Sequence, residues 1–109
     1  MTDRELLELA AKAAGMHNPC YMEINQNKGI NRGPTESLWN PLADDGDALR
    51  LAVKLGLVID VQLFTEVTTA WTSDVSGAAD CEERHKYDPC AATRRAIVRA
   101  AAEIGRSMP

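Results

Sequence analysis

Hydrophobic and polar positions change period several times along the chain, and each change marks an element. Leu6, Leu9, Ala10, Ala13 and Ala14 recur at helical spacing behind a Thr2…Glu5 pair with capping-box spacing. Gly15 suits the left-handed position that stops a helix, so the pattern predicts one over 3–14. A second helical stripe, Ala48, Leu49, Ala52, Val53 and Leu55, predicts a helix over 45–55 that ends at Gly56. Asp44 and Asp45 offer it N-cap oxygens, and Asp47 adds negative charge at its positive end. From Leu57 the period falls to two. Leu57, Ile59, Val61 and Leu63 form a dry face, opposite Val58, Asp60, Gln62 and Phe64, which predicts a strand over 57–64. Residues 67–71, with Thr68, Thr69 and Trp71, predict a neighbouring strand, antiparallel because only Thr65 and Glu66 intervene.

Toward the end of the chain, Asp88 is a natural N-cap and Pro89 falls at the first helical position. Ile97, Ala100, Ala101, Ile104 and Met108 form its buried stripe, so the pattern predicts a helix over 89–106. Its many alanines allow it to lie unusually close to a neighbour. Residues 72–80 are small and polar and read as a loop, and 84–87 read as a short returning strand. Between 18 and 38 the pattern is weakest. Tyr21, Met22 and Ile24 suggest a strand, Asn27-Lys28-Gly29 is turn chemistry before Ile30, and 31–37 is a polar loop, together a loose hairpin. Asn40 before Pro41 makes a stiff corner after Trp39.

Composition narrows the class. The 109 residues leave room for one domain, and 45% hydrophobic with 26% charged is a globular balance rather than a disordered one. The aromatics are few (Tyr21, Trp39, Phe64, Trp71 and Tyr87), so the core must be built from Leu, Ile, Val and Ala. A net charge of −4 with mixed signs disfavours a nucleic-acid binder, which uses a basic face to release counterions. It also lacks the dense carboxylates of a DNA mimic. No apolar run reaches the length of a signal core or a membrane span, so a cytoplasmic protein with reduced Cys20, Cys81 and Cys90 is expected.

The order of signals from Trp39 onward resembles a known set of proteins. Trp39-Asn40-Pro41-Leu42, then Asp44-Asp45 and Ala48 opening a helix, then a strand, a tryptophan and Asp88-Pro89-Cys90-Ala91-Ala92 opening an alanine-rich helix, resembles the phage ABA sandwich domain. It is also similar to the NinX-like proteins of lambdoid phages. The resemblance spans Trp39 to Gly105 and leaves 25–37 unmatched. It implies a single α+β domain over 1–109: three helices packed on a small, mainly antiparallel sheet, a three-layer α-β-α sandwich. It further implies a phage or prophage accessory protein, working in the bacterial host cytoplasm by binding a host factor (a defence component, for example) and not by catalysis, with no cofactor.

The same sequence offers several candidate sites. His17-x-x-Cys20 and Cys81-x-x-x-His85, with Cys90, supply zinc-type ligands but at spacings of no zinc module, so no metal site is assigned. Cys90 near a helix N-terminus with His85 as base is the enzyme version, opposed by the negative Asp88 and by the lack of an oxyanion or phosphate loop. Helix capping accounts for Asp44, Asp45 and Asp47 without a cation. Trp39 and Trp71 are read first as a shared core anchor and second as pocket-lining rings able to grip a partner. Arg95, Arg99 and Arg106 read as a solvated face. The binding candidates are therefore Lys28, Arg32, Trp39 and Trp71, with Lys28 and Arg32 on a loop free of structural duty. The partner expected is a host protein or a second copy of the chain. The alternative is a small nucleotide ligand, and a metal- or cysteine-dependent enzyme stands third.

Overall fold

A computed structural model describes residues 1–34, 36–72 and 80–109. Thr35 and most of the loop expected at 72–80 (residues 73–79) lie outside the described residues. The element order is α1 (Asp3–Ala13), β1 (Tyr21–Ile24), β2 (Asn27–Ile30), α2 (Asp45–Leu55), β3 (Leu57–Gln62), β4 (Val67–Thr72), β5 (Cys81–Arg84) and α3 (Pro89–Ser107). The class is α+β, with three helices and two small antiparallel sheets, β1-β2 and β3-β4-β5.

The three helices begin where their caps begin. Thr2 and Glu5 form the reciprocal capping box of α1, in which the Glu5 N–H donates to Thr2 Oγ1 at 3.1 Å. Asp44 accepts from the Asp47 N–H at 2.8 Å, and Asp88 from the Ala91 N–H at 3.0 Å, with Pro89 in the first turn of α3. Gly56 ends α2 in the left-handed region (φ 65°), which turns the chain directly into β3.

The strands depart further from the expected pattern. β1 and β2 meet through a two-residue loop in which Asn25 and Gln26 both have positive φ, the mirror-image turn that matches strand twist. The turn expected at Asn27-Lys28-Gly29 is therefore the second strand of the hairpin. The strand expected over 57–64 stops at Gln62, which pairs with Val67, and Leu63 through Glu66 form a four-residue turn. Thr65 Oγ1 donates to Gln62 Oε1 at 3.0 Å, and Glu66 adopts φ 58° to close it. The last strand is 81–84 and not 84–87, because Cys81 is in register with Ala70 and Arg84 with Val67. Residues 85–88 are then the turn into α3.

Pairing places Leu57, Ile59, Ala70 and Cys81 on one face of the larger sheet, where they pack against the helices. The two sheets pack on the helices rather than on each other, and α3 is the hub, touching α1, α2 and all three strands of the larger sheet. Its contact surface is mostly alanine: Ala92, Ala96, Ala100, Ala101 and Ala102 are buried together with Ile97, Val98 and Gly105. The main core joins Leu6, Leu7 and Ala10 of α1, Leu51 of α2 and Val98 of α3 to Ile30 and Trp39. Five apolar positions do not behave as their periodicity predicts: Leu49 and Val53 of α2 and Val61 of β3 are exposed, as are two beyond the ends of their elements. Leu63 is largely exposed beyond the end of β3, and Met108 is partly exposed beyond the last turn of α3.

Of the α3 arginines expected as a solvated face, Arg106 remains one, mostly exposed beside Glu103, but Arg95 and Arg99 do not, nor does Arg94. Arg94 reaches Asp45 and the Leu42 carbonyl, Arg95 reaches Asp3, and Arg99 reaches Glu83 and the Glu82 carbonyl. They tie α3 to the start of α2, to α1 and to β5. Such partly exposed pairs are worth a few tenths of a kcal/mol to about 1 kcal/mol each, so they orient the layers more than they stabilise them.

The closest approach is between α1 and α3. A Cβ on Gly105 would overlap the backbone carbonyl of Leu9, an atom that cannot swing aside as a side-chain end would. Gly105→Ala is therefore expected to destabilise by about 2 kcal/mol, as overpacking outweighs the roughly 1 kcal/mol that alanine adds to helix propensity. Chemical denaturation decides it. Unchanged or raised stability would mean that the two helices separate at no cost.

Candidate binding cleft

Between the β1-β2 hairpin, the 31–38 loop and the first turns of α2 lies an open cleft of about 1100 Å³. The hairpin contributes its turn residues Asn25 and Gln26 together with Lys28, and α2 contributes Asp47 and Arg50. The cleft exists because the chain after β2 leaves and returns to the same place. Ile30 and Trp39 exchange both backbone hydrogen bonds, Ile30 N–H to the Trp39 carbonyl at 2.8 Å and Trp39 N–H to the Ile30 carbonyl at 2.9 Å. The described residues between them, 31–34 and 36–38, thus belong to an excursion with clamped ends, the kind of surface segment that carries binding residues.

Asp47 organises the floor. Only 2% exposed, it is a buried carboxylate that needs partners, and three segments supply them. The Asn40 N–H donates to Oδ2 at 3.0 Å, Arg50 Nη2 to Oδ1 at 2.8 Å, and Arg32 Nη1 approaches Oδ1 at 3.5 Å. Arg32 is fixed from its other side, since Nε donates to the Ser37 carbonyl at 2.7 Å and Nη2 to Ser37 Oγ at 3.1 Å. Asn40 completes the frame by donating from Nδ2 to the Lys28 carbonyl at 2.8 Å. Two guanidinium groups are held in place this way. Arg50 remains mostly exposed, whereas Arg32 is mostly covered.

The four expected binding residues separate. Lys28 and Arg32 both line the cleft. Lys28 is exposed, and among the described residues its ammonium makes no ion pair. Arg32 is not free of structural duty, because it braces its own loop against Asp47. Trp39 is buried in the main core beside Ile30. Trp71 sits half-buried on β4 opposite Val58, on the sheet face turned away from the core clusters. The two rings do not form the shared anchor expected of them, for they lie in different parts of the fold.

Sequence reasoning missed Asp47, Asn40 and Arg50 as members of this site. The available signals were three acids where one suffices to cap α2, and an Asp47…Arg50 pair at i,i+3. The chain's other chemical candidates sit elsewhere. His85 is buried, with Nε2 at 2.7 Å from Thr68 Oγ1, which in turn lies 3.0 Å from Thr93 Oγ1. Cys20 and Cys90 are exposed and Cys81 is buried, all as free thiols. Among the described residues no three of His, Cys, Asp and Glu converge as a metal-ligand group. Likewise, among the described residues no helix is long and apolar enough to cross a membrane. No protein-family model, no curated protein and no solved structure matches the chain.

Burial pushes the Cys81 thiol up from its ordinary range, with Arg99 opposing the shift in part. The folded chain thus holds this proton more tightly than the unfolded chain. That contribution to stability is whole below the ordinary thiol range and is lost as pH climbs through the raised value. Alkylation at mildly alkaline pH, read by mass spectrometry, should modify Cys20 quickly and Cys81 only as the chain unfolds. Equal rates would mean that β5 opens without global unfolding.

For the cleft floor, Asp47→Ala is expected to cost about 3 kcal/mol, because it strands the Asn40 N–H and releases both arginines. Arg32→Ala should cost about 1–2 kcal/mol, more than an ordinary surface change. Denaturant titrations of the two variants measure this. A loss under 0.5 kcal/mol for Asp47→Ala would show that the network contributes nothing net.

Proposed function

We propose that this chain is a non-catalytic recognition protein whose binding site is the cleft between the hairpin and α2. The observation that carries the reading is the pair of arginines held on one buried carboxylate. Side chains already fixed before a partner arrives lose little freedom on binding, which is how preorganised surfaces gain affinity. Neighbouring Asn25, Gln26 and Asn31 offer amides that both donate and accept, which suits the backbone of a polypeptide segment. Charges of both signs line the cleft, Lys28, Arg32 and Arg50 against Glu36, Asp44 and Asp47. A pocket for a small nucleotide is typically more enclosed and more apolar, and its phosphates call for a cationic excess. The likeness in motifs to phage ABA sandwich and NinX-like proteins supports a bacterial host protein as the partner, met in the host cytoplasm.

The test uses the tagged full chain in lysate of a bacterial host. A stoichiometric protein should be captured by the wild type. Lys28→Glu should weaken capture by about tenfold, near 1.4 kcal/mol, while stability stays within about 0.5 kcal/mol. Capture that is indifferent to Lys28→Glu and to Arg50→Glu would remove the site from this cleft. A small molecule released on denaturation, with no protein captured, would favour the ligand-binding alternative.

A further inference from the structure

A second face of the molecule, away from the cleft, carries apolar residues that the fold leaves over. A groove of about 410 Å³ runs between α2, the end of β3 and the first turns of α3. Ala48, Ile59 and Ile97 lie in it, and Leu49, Val61 and Leu63 line it as exposed residues. At its end two turns stand together, joined by the His85 N–H donating to the Glu66 carbonyl at 2.8 Å. One presents Phe64 and the other Tyr87, and both side chains are fully exposed. Val53, one helical turn beyond Leu49, extends the patch along α2.

We propose that this face is the two-fold interface of a homodimer. Two fully exposed aromatic side chains and four aliphatic ones between 45% and 73% exposed amount to roughly 800 Å² of apolar surface, taking 150–250 Å² for each ring and about 100 Å² for each aliphatic. The apolar patch of an ordinary monomer is about 300–600 Å², and a standard interface hides about 800 Å² on each partner. The patch therefore exceeds what a monomer leaves bare and matches what one half of a stable dimer covers.

A second copy suits the face for two reasons. The face holds a trough and, beside it, a projecting turn tipped by Leu63 and Phe64, so a two-fold axis lets each copy's Phe64 enter the other's trough. The charged residues lining the groove among those described, Asp45 and Arg94, neutralise each other at 2.6 Å. Within the groove, two identical faces then oppose no unpaired charge. Cys90, exposed on the groove wall, becomes covered on association.

Sedimentation of the full chain tests the proposal. The wild type should run as a dimer at micromolar concentration, and Phe64→Glu with Leu49→Glu should run as a monomer. Both positions are exposed, so the melting transition of the variant should stay cooperative. Alkylation provides a readout independent of mass: Cys90 should react more slowly as protein concentration rises, while Cys20 reacts at a constant rate. A wild type that stays monomeric at high micromolar concentration overturns the proposal and leaves the face to a different protein. A dimer that survives both substitutions, or Cys90 reacting at the same rate at every concentration, overturns it equally. Binding at the hairpin cleft is read separately, since neither substitution lies there.

Discussion

The structure depends on how closely α3 can approach everything around it. A helix that touches two other helices and three strands must present small side chains on several sides at once. Ala92, Ala96, Ala100, Ala101, Ala102 and Gly105 meet that demand. The consequence is a core of short reach, held by shape and close contact more than by bulky side chains. In such a core the larger buried side chains are Leu6, Leu7, Ile30, Trp39, Leu51, Ile97 and Val98. Large apolar residues that find no room there end up outside, as Leu49, Val53, Leu63 and Phe64 do. Close packing at the hub and the exposed apolar face at the end of β3 are thus two results of one constraint.

Polar contacts then decide where the peripheral pieces sit. The hairpin and its following loop share little of the alanine-based core, so they are located mainly by Ile30, Trp39 and the bonds to Asp47. A carboxylate buried this deeply would be costly alone, and its cost falls because backbone and guanidinium donors surround it. The same network that satisfies Asp47 also immobilises two cationic groups on a cleft wall. Structural need and a recognition surface therefore coincide at one residue. Elsewhere Arg94, Arg95 and Arg99 of α3 work outward in a similar way, each bridging to a different element through a carboxylate or carbonyl.

What the sequence by itself determined is the local part of the fold. The three helices and their caps at Thr2, Asp44 and Asp88, the stop at Gly56 and the β3-β4 pairing were all legible, because each depends on residues within a turn or two of one another. The α+β class follows from the switch of period at Leu57. Lys28 and Arg32 were legible only as polar residues of a surface segment, for Lys28 lies on β2 and Arg32 is braced against Asp47.

Only the tertiary structure decided which surfaces are consumed. Alternation continues through Leu63 and Phe64, but the strand ends at Gln62 because register with Val67 requires a four-residue turn. The hairpin turns at Asn25-Gln26 rather than at Lys28 because Ile30 must meet both Tyr21 and Trp39. Trp39 and Trp71 look equivalent in sequence, and one is core while the other lies on the outer face of a sheet. Asp47 reads as one more acid at a helix start, with Arg50 one turn on, until Asn40 and Arg32 are brought to it from outside the helix. Caps and periodicity arise from neighbouring residues, whereas burial and ion pairing depend on segments distant in the chain, and no local pattern records those encounters.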